Sequence, residues 1–309
     1  MINSIKVFGH KSPDTDSVCS AIVWAWYLST HKKQAATPYL LGEPNTEALF
    51  VLDYWKQQKP ELLGKLSSED HVAIVDTNNP QELPDNVNEA TISYLVDHHK
   101  LVGGIETLHP LDMTIRALAC TTTVIYTLMT EKEREEMPEF IAGLMLSAII
   151  SDTLEFRSPT TTKTDKEVAE KLAGKLNLNI SEYAHEMFAA KSDISHFSDS
   201  ELLRLDSKKY EVGEKNFRVS VLETTLPGIV LERKESLVES MQAVASEDNV
   251  DQVLLFVVDI LNEESTLLVA NDLVKTVAEK SFGVSVSGDT VVLPGVVSRK
   301  KQILPVLKV

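Results

Sequence analysis

The sequence predicts an α/β protein with two domains, a doubly wound parallel sheet followed by a smaller mixed α/β domain. In the first ~190 residues, short and nearly continuous apolar strands alternate with helical segments, a pattern typical of a parallel sheet that helices cover on both faces. In the remainder, strands joined by short polar turns dominate. The length of 309 residues also exceeds the usual range of one domain. We therefore expect domains at residues 1–190 and 197–309, joined by a linker at residues 191–196.

The first domain should begin with four strands that alternate with helices. We place these strands at residues 5–8, 39–41, 71–75 and 92–96. The segments that follow the fourth strand have helical character. We predict helices near residues 17–30, before Gln57, and at residues 121–135, 138–150, 164–174 and 181–190. Thr164 and Glu167 have the spacing of a capping box, and Gly174 marks the expected end of that helix.

The second domain should open with a helix, because Ser198 and Glu201 have capping-box spacing. Two hairpins are expected at the polar turns 213–216 and 262–264. Their strands and the accompanying helices complete a mixed domain of ~110 residues. The strands are predicted at residues 209–212, 217–222, 252–260 and 266–270, and the helices near residues 232–245 and 271–281.

The composition argues against several classes of protein. A net charge of −16 repels polyanions, so we expect no nucleic-acid partner. The longest apolar run, residues 141–150, is too short to cross a bilayer, and no cleavable leader is recognised. The chain has only two cysteines, Cys19 and Cys120, each in apolar surroundings, which favours a reducing compartment over a disulfide framework. We predict a cytoplasmic protein without a membrane partner.

The segment between the first strand and the first helix has the features of a metal site. An imidazole and two carboxylates, those of His10, Asp14 and Asp16, fall within seven positions. Pro13 stiffens the turn, and Gly9 allows close approach of the backbone. Mixed imidazole and carboxylate ligands favour manganese, iron or zinc over magnesium or calcium. In the alternative interpretation, His10 is a solvated loop residue and one aspartate only caps the helix.

Three further acidic positions occur where apolar runs end. We interpret each run as a strand, and the acids that follow are Asp76, Asp97 with its neighbours His98 and His99, and Asp152. In an open parallel sheet, ligands bind outside the carboxyl ends of the strands, so these side chains should converge on one crevice. The repetition of the pattern favours a metal centre over isolated helix caps.

Together these motifs resemble those of the family II inorganic pyrophosphatases, the manganese-dependent members of the DHH phosphoesterase superfamily. The similarity extends over essentially the whole chain, and the sequence Ser-Arg-Lys-Lys-Gln at residues 298–302 makes it specific. Without the resemblance, this basic run would be a solvated surface or a nucleic-acid patch. The resemblance implies an N-terminal DHH domain and an active site in the interdomain cleft. It further implies that the C-terminal domain closes during pyrophosphate hydrolysis.

The resemblance also implies a role for each motif residue. His10 and Asp14 would bind one metal, Asp16, His98 and Asp152 the other, and Asp76 both. Asp97 would orient the metal ligands without binding a metal itself. The substrate would be bound by His99, Lys208, Arg299 and Lys300. The residues taking part in catalysis would be Asp76, Asp152, His99 and Arg299.

Further expectations follow from the same resemblance. We expect two Mn²⁺ ions per subunit, with Co²⁺ or Mg²⁺ as possible substitutes, an attacking hydroxide that bridges the metals, and additional Mg²⁺ entering with pyrophosphate. A homodimer through the N-terminal domain is also implied. One departure is the sequence Thr77-Asn78-Asn79 after the strand-end aspartate, where the family usually has His-Asn-Glu. It leaves the ligand positions intact but affects residues that would tune metal affinity.

Two alternative functions remain to be separated from this one. Another DHH phosphoesterase, an exopolyphosphatase or a nuclease for short oligonucleotides, would be expected to carry a Gly-Gly-Gly-His type motif in its C-terminal domain, and the sequence has none. A non-catalytic nucleotide-sensing module on a degenerate DHH fold would be expected to lack metal ligands. All six matched ligand positions are filled here, which favours the enzyme.

Overall fold

A computed structural model describes residues 4–309. The chain forms two compact units, which divide between Lys191 and Ser192. Among the described residues, no helix is both long and apolar enough to cross a membrane.

The first unit contains a parallel sheet. Within the described residues it has six strands in the order β3-β2-β1-β4-β5-β6, and every neighbouring pair is parallel. The strands are β1 (Ile5–Phe8), β2 (Ala36–Leu40), β3 (Glu61–Leu62), β4 (His71–Val75), β5 (Thr91–Asp97) and β6 (Asp112–Ile115). The chain turns to opposite sides of β1 to form β2 and β4, which creates a topological switch point beside β1. The predicted doubly wound parallel sheet is thereby confirmed.

The helices of this unit follow from apolar patterning and caps. They are α1 (Thr15–Thr30), α2 (Thr46–Tyr54), α3 (Thr121–Leu128), α4 (Glu131–Glu135), α5 (Glu139–Thr153), α6 (Lys163–Leu176) and α7 (Ile180–Lys191). Helices α1 and α5 pack against each other. Both are apolar on nearly all sides and almost entirely buried, as expected for helices in the interior of a unit. This packing fixes the positions of both helices. At the carboxyl edge of the sheet, the first turn of α1 carries Asp16 and the last turn of α5 carries Asp152.

The second unit is built on a mixed sheet. Its five strands lie in the order β11-β10-β9-β8-β7; β8 and β9 are parallel and the other pairs antiparallel. The strands are β7 (Ser207–Val212), β8 (Lys215–Thr224), β9 (Gln252–Asp259), β10 (Glu264–Leu268) and β11 (Thr290–Pro294), and the helices are α8 (Asp199–Leu205), α9 (Pro227–Leu231), α10 (Lys234–Asp248) and α11 (Asp272–Phe282). This confirms the smaller mixed α/β fold.

Strand β9 shows why this sheet is covered on both faces. All of its residues are buried, and alternate side chains enter two different cores. Leu255 packs in the core that includes Met241 of α10, whereas Phe256 packs in the core that includes Val277 of α11. Successive side chains of a strand point to opposite faces, so β9, the middle strand of the sheet, contributes to a core on each face.

Several predicted boundaries were wrong. The single helix expected at residues 121–135 is two helices, because Thr130 and Glu133 form a capping box that starts α4. The capping box of α6 is formed by Thr162 and Asp165, and the helix continues past Gly174 to Leu176. Strands β3, β6 and β11 and helix α9 were not predicted. These elements are short, and short segments have too little periodicity to be recognised from sequence.

Candidate metal centre

The candidate site lies at the carboxyl edge of the parallel sheet. Strands β1, β4 and β5 are neighbours in the sheet, and each is followed at once or within two residues by a potential ligand. These ligands are His10, Asp76 and His98. Parallel strands end at the same edge, so three segments that are distant in sequence meet there.

The turn between β1 and α1 is closed by its own side chains. The amide of His10 donates to Oγ of Ser17 at 3.1 Å, and the amide of Ser17 donates to Oδ1 of Asp14 at 3.0 Å. A Cβ atom on Gly9 would lie 1.9 Å from Oγ of Ser17, so this position requires glycine. Asp14 does cap α1, as the alternative interpretation supposed. Its Oδ1 also lies 3.5 Å from Nε2 of His10, and the cap therefore does not exclude a ligand role.

Asp76 occupies the centre of the site. It is buried and has a φ of 59°, a left-handed conformation that costs a non-glycine residue about 1–3 kcal/mol. Its Oδ2 lies 3.4 Å from Nε2 of His10, and its Oδ1 lies 3.4 Å from Nε2 of His98. The hydroxyl of Thr121 donates to Oδ1 at 3.0 Å. One carboxylate is thus shared between two imidazoles.

The potential ligands form two principal groups. In each group the nitrogen and oxygen atoms that could bind a metal all lie within 4.8 Å of one another. The first group is His10, Asp14 and Asp76, and the second is Asp16, His98 and Asp152. A third, overlapping group contains Asp76, His98 and His99. Imidazole nitrogens and carboxylate oxygens at these separations suit borderline divalent cations such as Mn²⁺.

The residues before Asp152 allow two interpretations, the helix at residues 138–150 and a strand that ends at Asp152. The helix is confirmed and the strand was wrong, because Asp152 lies in the last turn of helix α5. Its Oδ2 is 3.9 Å from Nε2 of His98. The residue is therefore brought to the carboxyl edge of the sheet by a buried helix.

Asp16 is held by the start of helix α3. Its carboxylate accepts hydrogen bonds from the amides of Thr121 and Thr122, at 2.6 and 3.2 Å, and from Sγ of Cys120 at 3.1 Å. The hydroxyl of Ser20 donates to it at 2.9 Å. Amides in the first turn of a helix have no partner within the helix, which makes them natural donors to an anion. These contacts fix the orientation of the carboxylate, and sequence reasoning missed them.

The two histidines that follow β5 are oriented by hydrogen bonds on their other ring nitrogen. Nδ1 of His98 lies 3.1 Å from the carbonyl oxygen of Leu118. A carbonyl only accepts, so Nδ1 carries a proton and Nε2 is the nitrogen left for a metal. Nδ1 of His99 lies 2.9 Å from Oδ1 of Asp97. The same Oδ1 accepts hydrogen bonds from the backbone amides of His98 and His99, at 2.8 and 3.1 Å. Asp97 thereby fixes the backbone of both histidines.

The unusual sequence after Asp76 lies beside the ligand groups. Nδ2 of Asn78 donates to Oδ2 of Asp97 at 2.6 Å and to the carbonyl of Lys100 at 3.0 Å. The hydroxyl of Thr77 donates to Glu82 at 2.6 Å. Asn79, at the third position of this sequence, lines the cavity of the site. Asn78 matches the residue that the resemblance leads us to expect at its position. The departure therefore lies at Thr77 and Asn79, which belong to none of the ligand groups.

The crowded side chains of the site shift one another's pKa values strongly. Burial by itself lowers the pKa of His10, but Asp14 and Asp76 outweigh it and raise this pKa to about 10. For His98, Asp76 and Asp16 outweigh burial in the same way and raise the pKa to about 9. Burial and the neighbouring Asp76 raise the pKa of Asp16 to about 7.

The remaining two carboxyl groups shift in opposite directions. Burial, together with Asp16 and Asp76, raises the pKa of Asp152 well above its ordinary value. Burial also opposes ionisation of Asp76, but hydrogen bonds from His10 and His98 prevail and lower its pKa. Crowded carboxylates that must take up protons indicate a place for cations, so the residues present fit a pair of divalent metals.

The ligand groups open into a cavity of about 950 Å³, large enough for a small substrate. Besides the grouped residues, its lining includes Lys11, Asn79, Lys100 and Thr160. All of the lining residues belong to the first unit.

Among the predicted substrate residues of the second unit, Arg299 makes a specific contact with Asp206. The guanidinium of Arg299 donates to the backbone carbonyl and to Oδ1 of Asp206, both at 2.7 Å. Asp206 immediately precedes β7, the strand that carries Lys208. Residues Arg299–Ile303 form a single π-helical turn capped by Ser298. The basic segment is therefore ordered against the start of β7 within the second unit.

These features define a class of protein, a two-unit α/β fold with a candidate dinuclear metal site at the carboxyl edge of its parallel sheet. A family model described as the DHH family, N-terminal domain, matches residues 4–149, and a model of the DHHA2 domain matches residues 185–309.

Comparison with individual proteins narrows the class. The chain is 38% identical over 304 residues to a probable manganese-dependent inorganic pyrophosphatase of Staphylococcus saprophyticus, covering 97% of this chain and 96% of the relative. It is 40% identical over 309 residues to a protein of the same description from Deinococcus radiodurans, covering 98% of both. The crystal structure of a putative family II inorganic pyrophosphatase of Methanococcus jannaschii matches with a TM-score of 0.61 and 34% identity, covering 97% of both chains. The chain belongs to the family II, manganese-dependent inorganic pyrophosphatases.

Proposed function

We propose that this protein hydrolyses pyrophosphate to two phosphates at a dinuclear manganese site. The observation that carries the proposal is the position of Asp76, whose two oxygens each lie 3.4 Å from a different imidazole. A carboxylate in this position can serve two metals at once. The descriptions of the relatives from Staphylococcus saprophyticus and Deinococcus radiodurans support the choice of substrate.

In this proposal, two Mn²⁺ ions bind to each subunit. His10 and Asp14 would hold one ion, Asp16, His98 and Asp152 would hold the other, and Asp76 would serve both. When bound, such a pair activates a water molecule and polarises a phosphoryl oxygen. Imidazole ligands favour Mn²⁺ or Co²⁺ over Mg²⁺, which prefers oxygen ligands. Mg²⁺ is expected to be a weak substitute in the site and to enter separately with the substrate.

The other residues orient the substrate and move protons. His99 lines the cavity, and its Nδ1 is engaged by Asp97, so its Nε2 remains to donate a proton to the leaving phosphate. Lys208, Arg299 and Lys300 supply fixed positive charge to phosphate oxygens. Arg299 donates to Asp206 through both terminal nitrogens, and its remaining N–H groups are available for phosphate oxygens. We assign these roles from the resemblance to the family.

Oligomeric state and location form part of the same proposal. The resemblance supports a homodimer through the first unit, and the composition supports a cytoplasmic location. Analytical ultracentrifugation of the full chain should give a single species of twice the chain mass. A monomer at micromolar concentration would contradict the dimer without affecting the proposed chemistry.

The decisive experiment compares substrates and metals. Full-length protein freed of metal is supplied with Mn²⁺ or Mg²⁺, and phosphate release is measured from pyrophosphate, tripolyphosphate and short oligonucleotides. We expect preference for pyrophosphate and higher activity with Mn²⁺. Preferred cleavage of tripolyphosphate or oligonucleotides would identify another DHH phosphoesterase, and inactivity towards all three with bound metal would favour a non-catalytic module.

A further inference from the structure

A buried carboxylate beneath the metal site has no assigned role. Glu47 lies in the first turn of α2 and is fully buried. An acidic residue in the first turn of a helix is usually a surface residue that interacts with the helix dipole, so the sequence offers no reason for its burial. An ionised carboxylate is costly to bury unless charges and hydrogen bonds compensate it.

The contacts of Glu47 connect the two segments that bring three of the proposed ligands. Its Oε1 accepts a hydrogen bond from Oγ1 of Thr15 at 2.6 Å and another from Oγ of Ser151. Thr15 stands between Asp14 and Asp16, and Ser151 directly precedes Asp152. A single oxygen atom therefore connects the β1–α1 turn to the end of α5.

The second oxygen of Glu47 faces a positive charge. Oε2 accepts no hydrogen bond within the described residues and lies 3.2 Å from Nζ of Lys191, the last residue of α7. The side chain of Lys191 is 38% exposed, whereas that of Glu47 is 0% exposed. Lys191 thus offsets the charge of Glu47 while remaining in contact with water.

We propose that Glu47 is a positioning residue for the metal pair. By accepting from Thr15 and Ser151 with one oxygen, it sets the separation between Asp16 and Asp152, two ligands of the same metal group. It touches neither metal nor substrate and acts through the backbone of its two hydroxyl donors. This inference rests on the proposed function, since it assumes that Asp16 and Asp152 bind one ion.

The chain offers a matched control in Asp70. Asp70 is also a buried carboxylate; it accepts a hydrogen bond from Oγ of Ser67 at 3.0 Å and pairs with Nζ of Lys6 at 2.7 Å. It precedes β4, at the end of the strand opposite Asp76. The substitution Asp70→Asn therefore removes the same kind of charge and contact without affecting the ligand segments.

The test measures Mn²⁺ binding to the full-length protein after removal of metal, by titration calorimetry, alongside the melting temperature. Glu47→Gln keeps the size and one acceptor but loses the charge that strengthens both hydrogen bonds. We expect it to weaken one of the two Mn²⁺ sites by about tenfold or more, the effect typical of residues that orient metal ligands. Asp70→Asn should leave both affinities within about twofold, even though it lowers the melting temperature.

Two further variants keep the inference testable if Glu47→Gln does not fold. Thr15→Val and Ser151→Ala each remove one hydroxyl donor, and each should weaken the same Mn²⁺ site by a smaller factor. Unchanged affinities in Glu47→Gln would overturn the inference. If Glu47→Gln does not fold, unchanged affinities in both Thr15→Val and Ser151→Ala would overturn it. Equal weakening by Glu47→Gln and Asp70→Asn would also overturn it, because the effect would then be general destabilisation.

The wild-type titration separates this inference from the proposed function. If the wild-type protein binds one Mn²⁺ ion, the dinuclear site is wrong, and the positioning role then requires Glu47→Gln to weaken that one site. If it binds none, the positioning role is wrong as well. If the wild type binds two ions and Glu47→Gln binds them equally well, the proposed function stands and only the inference fails.

Discussion

The two ends of strand β4 each carry a buried aspartate, but the surroundings of these two residues differ. Asp70, before the strand, faces one lysine and a serine hydroxyl, so its charge is balanced by the protein alone. Asp76, after the strand, lies between two imidazoles that also face Asp14, Asp16 and Asp152. One end of the strand is an ordinary stabilising ion pair, whereas at the other end four carboxylates face two imidazoles. This excess distinguishes a site for cations from a structural contact.

Substitution of Asp76 should give the largest effect. Asp76→Asn removes a charge shared by both ligand groups, so we expect activity to fall by at least about a hundredfold, beyond the effect of an indirect positioning residue. Asp14→Asn affects only one group and should cost less. Phosphate release, with metal content measured in each variant, provides the comparison, and Asp70→Asn is the control. Comparable losses for Asp76→Asn and Asp14→Asn would contradict the shared position of Asp76.

Metal should stabilise the folded state. The ligands come from four separated segments that meet only in the native fold, so Mn²⁺ at a hundredfold excess over its dissociation constant should add about 2.7 kcal/mol to the free energy of unfolding. Asp70→Asn should retain this increment, and Asp76→Asn should lose most of it. Chemical denaturation with and without Mn²⁺ measures the difference. An unchanged wild-type stability on adding Mn²⁺ would argue against the site.

Metal binding should release protons at neutral pH. In the metal-free protein the pKa values of His10 and His98 are about 10 and about 9, so both rings are charged at pH 7 and must lose a proton to bind a metal. Apparent Mn²⁺ affinity should therefore rise with pH. Calorimetric titrations at pH 7 in buffers of different ionisation enthalpy should report release of more than one proton per protein. No dependence on the buffer would be inconsistent with these histidines as ligands.

The smallest effect is expected for Asp70, at the end of β4 opposite Asp76. Asp70→Asn should reduce the free energy of unfolding by about 1–2 kcal/mol, because Lys6 is left unpaired but still reaches water. Burial opposes ionisation, yet hydrogen bonds from Lys6 and Ser67 lower the pKa of Asp70 in the folded protein. As the pH falls, the unfolded chain takes up this proton first. The stabilisation is therefore complete above the ordinary carboxyl range and is lost at lower pH.

Denaturation of the wild type and Asp70→Asn at several pH values tests this assignment. The difference in free energy of unfolding should be largest near pH 7 and should shrink below about pH 4. A difference that persists at low pH would mean that Asp70 contributes by packing and not by charge.

The sequence determined those parts of the protein that depend on local patterning. Buried parallel strands have apolar runs, and His10, Asp14 and Asp16 share one short turn, so the fold class and half of the ligand set follow from neighbouring residues. The ends of β4 and β5 were recognised for the same reason. The motif at residues 298–302 indicated the family without any tertiary information.

The tertiary structure alone decided which distant groups support this centre. The apolar run before Asp152 is compatible with a strand or with a buried helix, because an element that is apolar on all sides has no diagnostic period. The burial of Glu47 and the amides of Thr121 and Thr122 that orient Asp16 depend on packing between segments far apart in the chain. No local pattern encodes such contacts, since each arises only when helices pack around the end of the sheet.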